Sequence, residues 1–119
     1  MNYRMLLPGL KYRGLVKSLK TQYHVLESSN YYVVFAPKDD AKGNYNIVPK
    51  KAVKFLVSKL GGKQGGATKD GLKECSGSMY FPTRFSFLNA MYALIGVKGG
   101  RIARVAGPKL FFNIWKAAE

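Results

Sequence analysis

The first half of the chain has short runs of apolar and aromatic residues separated by polar ones, a pattern that predicts strands. Residues 23–27 and 31–36 form two such runs, and the Ser-Ser-Asn segment at 28–30 favours a tight turn between them. The run at 31–35 has five consecutive strand-forming residues, which is typical of a central strand buried on both faces. A third strand is predicted at 45–48. Together these segments predict an antiparallel meander.

Helical spacing begins after Pro49. Apolar residues at positions 53, 56, 57 and 60 fall on one face of a helix, which predicts a helix over 50–60 that stops at Gly61. A short helix is predicted over 69–75. The lysines of the first helix lie off its apolar stripe, so we expect them to face water or phosphate.

A long helix is predicted over 84–95, ending at Gly96, and its sequence is apolar nearly all round. A second apolar face holds Phe87 and Leu94, and if these two side chains point outward they offer a surface for a protein partner or a membrane. We expect one apolar stripe to face the core, and it consists of Phe85, Leu88, Met91, Tyr92 and Ile95.

The N-terminal residues are basic and contain no acid. Residues 1–13 predict an extended basic arm, and residues 14–20 predict a short helix with Leu15, Val16 and Leu19 turned inward. No continuous apolar stretch marks a secretory signal, although the composition has some likeness to a transit peptide. We therefore expect residues 14–119 to form one domain behind the arm.

The predicted fold is α+β: a small single domain in which N-terminal antiparallel strands precede three helices and a C-terminal β-hairpin. The hairpin is predicted from segments 101–106 and 109–116. The order of helix, short helix, long helix and hairpin over residues 49–116 resembles the winged-helix superfamily, in which the third helix enters a DNA groove and the hairpin touches the backbone. The resemblance implies a recognition helix that opens at Thr83 and Arg84, and wing cations at Arg101, Arg104 and Lys109.

Composition points to a polyanionic partner. The 119 residues include 20 Lys and Arg but only 6 Asp and Glu, which gives a formal net charge of +14. Three basic blocks surround a near-neutral segment at 27–49, which suits a large binding surface better than a single tail. Such an excess of cations is offset by a polyanion, and nucleic acid is the usual one. No apolar run approaches the roughly 18 residues of a membrane span.

The candidate nucleic-acid-binding residues are cations, with one aromatic ring among them. Cations hold phosphates while rings stack on unpaired bases, and the interleaved residues 11–13 and 81–85 supply both. The arm, the lysine face of the first helix, the Gly61–Gly66 loop, the start of the long helix and the hairpin contribute these residues. The predicted set is Arg4, Lys11, Tyr12, Arg13, Lys17, Lys20, Lys50, Lys51, Lys54, Lys63, Arg84, Arg101, Arg104 and Lys109.

The sequence offers little for catalysis, metal binding or cofactors. His24 has no second ligand at metal spacing, and we expect it to be structural. Cys75 is the one cysteine, so no internal disulfide forms, and a buried thiol in a reducing compartment, the cytoplasm, is expected. We expect no enzyme activity, no metal site and no cofactor.

Three functional hypotheses follow from the sequence. The first is a non-enzymatic RNA-binding component of a ribonucleoprotein particle, because ribosomal proteins are similar in composition: small and basic, with an arm that threads rRNA. The second is a free-standing protein of winged-helix type that binds DNA or single-stranded nucleic acid. The third is a protein-docking or membrane-surface module that uses Phe87 and Leu94.

Overall fold

The computed structural model describes residues 9–18, 21–38, 43–61, 68–75, 79–98, 103–106 and 109–112. Four strands form one antiparallel sheet in chain order. They are β1 (Lys11–Lys17), β2 (Gln22–Glu27), β3 (Tyr31–Pro37) and β4 (Gly43–Pro49). The predicted meander is confirmed as β2, β3 and β4, and β3 is an inner strand whose residues Val33, Val34 and Phe35 are all buried.

The helix predicted over residues 14–20 is wrong, because Lys11–Lys17 form β1 and pair with β2. Strand pairing joins residues that are distant in the chain, and its stabilisation outweighs a local helical pattern of about one turn. The register shifts between Tyr12 and Gly14, so Arg13 is the extra residue of a β-bulge. The strand takes up residues 11–13 of the segment expected to be an arm, and residues 1–8 lie outside the described part.

Three helices follow the sheet: α1 (Lys50–Leu60), α2 (Thr68–Glu74) and α3 (Arg84–Lys98). The first begins directly after Pro49, where the Lys50 N–H donates to the Asn30 carbonyl at 3.1 Å, and it stops at Gly61 as predicted. A reciprocal cap opens α3: the Ser86 N–H donates to Thr83 Oγ1 and the Thr83 N–H donates to Ser86 Oγ, each at 3.1 Å. After α3, β5 (Ala103–Ala106) pairs with β6 (Lys109–Phe112) in antiparallel register.

The predicted core face of α3 is partly wrong. Phe85 is 74% exposed, whereas Phe87 and Leu94 are buried beside Met91 and Ile95. The helix is apolar all round, and contacts with all four strands decide which side turns inward. Because Phe87 and Leu94 are core residues, the docking face that the third hypothesis placed on them does not exist.

Gly96 does not end α3 as predicted but lies inside it, because the helix meets the sheet there at backbone distance. A Cβ on Gly96 would lie 2.5 Å from Val25 Cγ2, and a Cβ on Gly14 would lie 2.7 Å from the Gly96 carbonyl oxygen. Real Cβ atoms do not approach so closely, so both positions need glycine for space. This contact fixes α3 against β1 and β2, and the helix continues to Lys98.

The two faces of the sheet differ. The helices cover one face, where Val16, Val25, Val34 and Val48 join the core of the protein. The opposite face carries a second, smaller buried cluster of Leu26, Val33 and Phe35, against which Leu10, Tyr12 and Tyr31 pack. The molecule is thus a small compact α+β protein with one main core between sheet and helices.

Candidate nucleic-acid interface

A basic cleft lies between β1, the C-terminal half of α3 and β5. Arg13 and Lys17 line it from the strand, Ile95 and Gly96 from the helix, and Arg104 from β5, around a volume of about 480 Å³. None of the described residues that line it is acidic. The cleft therefore brings together predicted cations from two ends of the chain. We call it the basic cleft.

One carboxylate, Glu27, organises the cations next to this cleft. Arg13 Nη1 lies 3.2 Å from Glu27 Oε1, and Lys50 Nζ binds Oε2 of the same side chain. The Lys50 hydrogen bond lowers the pKa of Glu27, and the charges of Lys50, Arg13 and Lys11 add to the effect against the opposing effect of burial. Since one negative charge meets several positive ones, the group as a whole stays cationic and remains suited to phosphate.

The exposed lysines of α1 lie apart from the basic cleft. Lys51 and Lys54 are exposed, and Lys54 lines a separate groove of about 400 Å³ between α1 and α3, together with Lys98 and the Tyr32 ring. Lys50 lies 5.4 Å from the centre of that ring. The lysine face of the helix is thus present as predicted, but the fold does not join Lys51 or Lys54 to the arginines of β1 and β5.

A second cleft, which no sequence pattern predicts, lies at the other end of α3. It has a volume of about 360 Å³ between the helix and the ends of β3 and β4. Amide and hydroxyl side chains dominate its polar lining, and no acidic residue is among the described residues around it. We call it the amide cleft, and its polar lining consists of Thr21, Tyr23, Lys38, Asn44, Asn46, Asn89 and Tyr92.

Aromatic side chains from β2 and α3 line the amide cleft. The Tyr23 and Tyr92 rings stack with their centres 4.3 Å apart and their planes 16° apart. Burial raises the pKa of Tyr92 to about 12, and the neighbouring Tyr23 hydroxyl adds to the rise, so Tyr92 keeps its proton at neutral pH. Phe85 lies at the mouth with an exposed ring, and the exposed Arg84 is next to it. No motif marks this site, because its asparagines are some forty residues apart in the chain.

Several predicted residues have other surroundings. Tyr12 is half-buried on the second face of the sheet, where its hydroxyl lies 2.7 Å from His24 Nδ1. Lys11 is exposed on the same strand. The remaining predicted residues lie outside the part that the structure describes, either entirely or in their side chains, and they are Arg4, Lys20, Lys63, Arg101 and Lys109.

The one histidine and the one cysteine are both buried. Burial lowers the pKa of His24, so its imidazole is neutral at pH 7. Burial and Glu74 raise the pKa of Cys75 to about 11, so the thiol stays protonated. Within the described ranges, no three His, Cys, Asp or Glu side chains meet as a metal site, and no helix is long and apolar enough to cross a membrane.

Comparisons with protein families, characterised proteins and solved structures find no match to this chain.

Proposed function

We propose that this protein is a non-enzymatic RNA-binding protein of the cytoplasm that belongs to a ribonucleoprotein particle such as the ribosome. The observation that carries the proposal is the basic cleft. Arg13 and Lys17 lie near the start of the chain and Arg104 near its end, yet all three residues line one cleft, with Glu27 beside it as the acid that pairs with Arg13. Cations that outnumber the neighbouring acid suit an anionic ligand.

The chemistry of the cleft fits a sugar-phosphate backbone. Arginine binds phosphate oxygens with two parallel hydrogen bonds, while lysine acts as a point charge. Each phosphate that a cation neutralises also releases condensed counterions, which drives binding at low salt. The net charge of +14 then strengthens association over the whole surface.

RNA is favoured over duplex DNA because α3 has almost no free surface. Within Arg84–Lys98, only Arg84 and Phe85 are exposed, and every later residue is buried or half-buried. A helix that reads a major groove needs several exposed polar side chains along its length. Phosphate contacts in a cleft, with unpaired bases nearby, require no such helix.

A protein of winged-helix type that binds DNA or a single strand is the second candidate. Its support is the order α1, α2, α3 and then the antiparallel pair β5 and β6. In that arrangement the pair is the wing, and Arg104 on β5 contacts a backbone phosphate. Co-sedimentation of the protein with ribosomal particles at moderate salt supports the first candidate, and a free pool that binds duplex DNA supports the second.

The experiment is a salt titration of RNA binding. A labelled single-stranded RNA is expected to bind with an affinity that falls linearly on a log–log plot, by about 0.7 log units per decade of salt for each neutralised phosphate. The variant Lys17→Ala/Arg104→Ala is expected to bind more weakly and with a shallower slope, by about 0.7 for each phosphate that the variant no longer neutralises.

The matched control is Lys51→Ala/Lys54→Ala, which removes the same charge from the exposed face of α1. We expect it to lose less affinity than the cleft variant. Equal losses in the two variants would show that net charge alone binds RNA, and a salt-independent affinity in the wild type would contradict phosphate binding altogether.

A further inference from the structure

The amide cleft joins groups that lie far apart in the chain and that the phosphate-binding role leaves unused. Asn44 and Asn46 point from β4 to the side of the sheet that bears the helices. Asn89 of α3 lines the same cleft. Asn44 and Asn46 are exposed and Asn89 is half-buried, so a ligand in the cleft can reach all three amides.

The amides present both donors and acceptors. Asn89 Nδ2 donates to the Phe85 carbonyl at 3.0 Å, which turns its Oδ1 acceptor to other partners. Asn44 and Asn46 each contribute a carbonyl and an NH2 group. A nucleobase edge carries the same alternation of donors and acceptors within one plane, and asparagine is a common partner of adenine.

An exposed ring completes the site. Phe85 is 74% exposed at the first turn of α3. Exposure of an apolar ring to water does not stabilise the folded protein. The cap between Thr83 and Ser86 holds the backbone of this first turn, and the Phe85 side chain lines the cleft. Base stacking on an aromatic ring is tolerant of sequence and needs an accessible face.

Two cations border the cleft: Lys38 lines it at the end of β3, and Arg84 lies beside it at the start of α3. Asn89 is seven residues from Gly96 on the same helix, so the amide cleft and the basic cleft lie about 10 Å apart along the helix axis. A volume of about 360 Å³ is at the small end of the range for ligand sites.

We propose that the amide cleft binds an unpaired nucleobase of single-stranded RNA, with Phe85 stacking on the base and Asn46 and Asn89 hydrogen-bonding its edge. This inference rests on the proposed function, since the phosphates of the same strand occupy the basic cleft. It adds that the protein distinguishes single strands from duplexes, because a paired base has no free edge and no free face.

The test measures binding of one short RNA in two forms, as a single strand and annealed to its complement, by fluorescence anisotropy at low salt. The wild type is expected to prefer the single strand. Phe85→Ala is expected to weaken single-strand binding by about 5- to 150-fold, the usual range for losing a stacking ring, and to leave duplex binding unchanged. Asn46→Ala is expected to act in the same direction, and Phe85→Tyr, which keeps the ring, is expected to restore binding.

Two matched controls separate the cleft from general surface effects. Ile47→Ala changes the next residue of β4, which is 68% exposed on the opposite face, and Met79→Ala removes an apolar side chain that is 84% exposed outside the cleft. Both are expected to bind like the wild type. Free mononucleotides at about 1 mM are expected to leave the single strand bound, because a single nucleotide cannot make the several phosphate contacts of a strand that give most of the affinity.

The outcomes separate this inference from the proposed function. If Phe85→Ala and Asn46→Ala bind the single strand as the wild type does, with the salt dependence intact, the base site is wrong and the phosphate interface stands. If micromolar mononucleotide displaces the strand, the cleft belongs to a free nucleotide and the inference is overturned. If the wild type binds neither RNA form at low salt, both proposals fail together.

Discussion

The two ends of α3 border clefts of opposite character. At the C-terminal half, backbones meet at Gly14 and Gly96, and the neighbouring cleft has cations but no aromatic ring among its described lining residues. At the N-terminal half, rings and amides line the cleft between the helix and the ends of β3 and β4. One helix thus borders both a cleft with cationic side chains and a cleft with aromatic rings and hydrogen-bonding amides.

The difference follows from side-chain size along the helix. Gly96 lets β1 and β2 approach the C-terminal half of α3 at backbone distance, whereas the larger Leu88 and Tyr92 line the amide cleft. β4 has the buried Val48 in the core and the exposed Asn44 and Asn46 beside the cleft. A protein for RNA gains from this layout, since phosphates and bases of one strand need different environments.

The largest expected effect comes from truncating Phe87, the buried side chain that packs α3 into the core. Phe87 is fully buried and its ring meets that of Phe81 edge to face at 5.8 Å. Phe87→Ala should lower the free energy of unfolding by about 3–5 kcal/mol, measured by chemical denaturation. Both clefts depend on the helix, so binding to single strands and to duplexes should fall together. Loss of only one kind of binding would show that the clefts do not share this support.

A smaller effect should come from disturbing the backbone contact between Gly14 and Gly96 at the C-terminal half of α3. In Gly14→Ala the new methyl group would meet the Gly96 carbonyl oxygen at 2.7 Å, and a backbone atom cannot move aside cheaply. We expect a loss of about 1–3 kcal/mol of stability, as in other overpacked sites. The neighbouring Leu15→Ala, at a residue that is 40% exposed, serves as the control and should change stability by about 0.5 kcal/mol or less. An equally stable Gly14→Ala would contradict the close approach.

How far the sequence predicts this molecule depends on the range of the interactions. Local patterns suffice for β2, β3, β4, α1 and the start of α3, because apolar spacing, turn residues and the Thr83 cap are local. They do not suffice for β1, which needs β2 beside it, nor for the buried side of an all-apolar helix, which the sheet selects. Gly96 illustrates the point: glycine usually ends a helix, and here a neighbouring strand requires it inside one.

The candidate sites divide in the same way. Cations are evident from composition, so Arg13, Lys17 and Arg104 are in the predicted set, although their convergence is not visible in the sequence. The amide cleft is not predicted, because Asn44, Asn46 and Asn89 are ordinary polar residues until the fold brings them together. Phe85 is wrongly predicted to be a core residue for the same reason, since an exposed ring and a buried one have identical spacing.

A smaller change should sharpen the basic cleft. Glu27 is the acid that pairs with Arg13 and Lys50, so Glu27→Gln frees two cations next to the cleft. We expect stability to fall by about 1 kcal/mol or less, since the group is partly exposed, while affinity for RNA at low salt rises. Denaturation and binding would be measured on the same sample. A fall in both stability and RNA affinity would show that the main effect of the ion pairs is to hold the cleft in its conformation, and that neutralising its cations is the lesser effect.

The smallest expected effect is a pH dependence of stability that comes from His24, which lines neither cleft. Burial lowers the pKa of His24 below its usual 6.5, so the unfolded chain binds a proton that the folded chain excludes. Stability should therefore fall as the pH drops below about 6.5 through the lowered pKa, with a slope no steeper than about 1.4 kcal/mol per pH unit for one proton. His24→Gln should flatten this slope between pH 5 and 7.5. An unchanged slope would place the titration on another group.

Acid also acts on Glu27 in a lower window. Its pKa is held below the usual 4.5 by Lys50, so its contribution to stability is present above that value and is lost as the pH falls through the lowered pKa. Measuring stability in the two windows separates the histidine on the second sheet face from the carboxylate beside the basic cleft. In Glu27→Gln the lower window alone should flatten.

The central claim is that the basic cleft binds the phosphates of an RNA strand. The most direct measurement is a titration of the isotope-labelled protein with a short single-stranded RNA at low salt, followed through its backbone amide resonances. We predict that the amides of Gly14, Lys17, Gly96 and Arg104 shift first and return when salt is raised. Shifts confined to Lys51 and Lys54 on α1, or no shifts at all, would contradict the account.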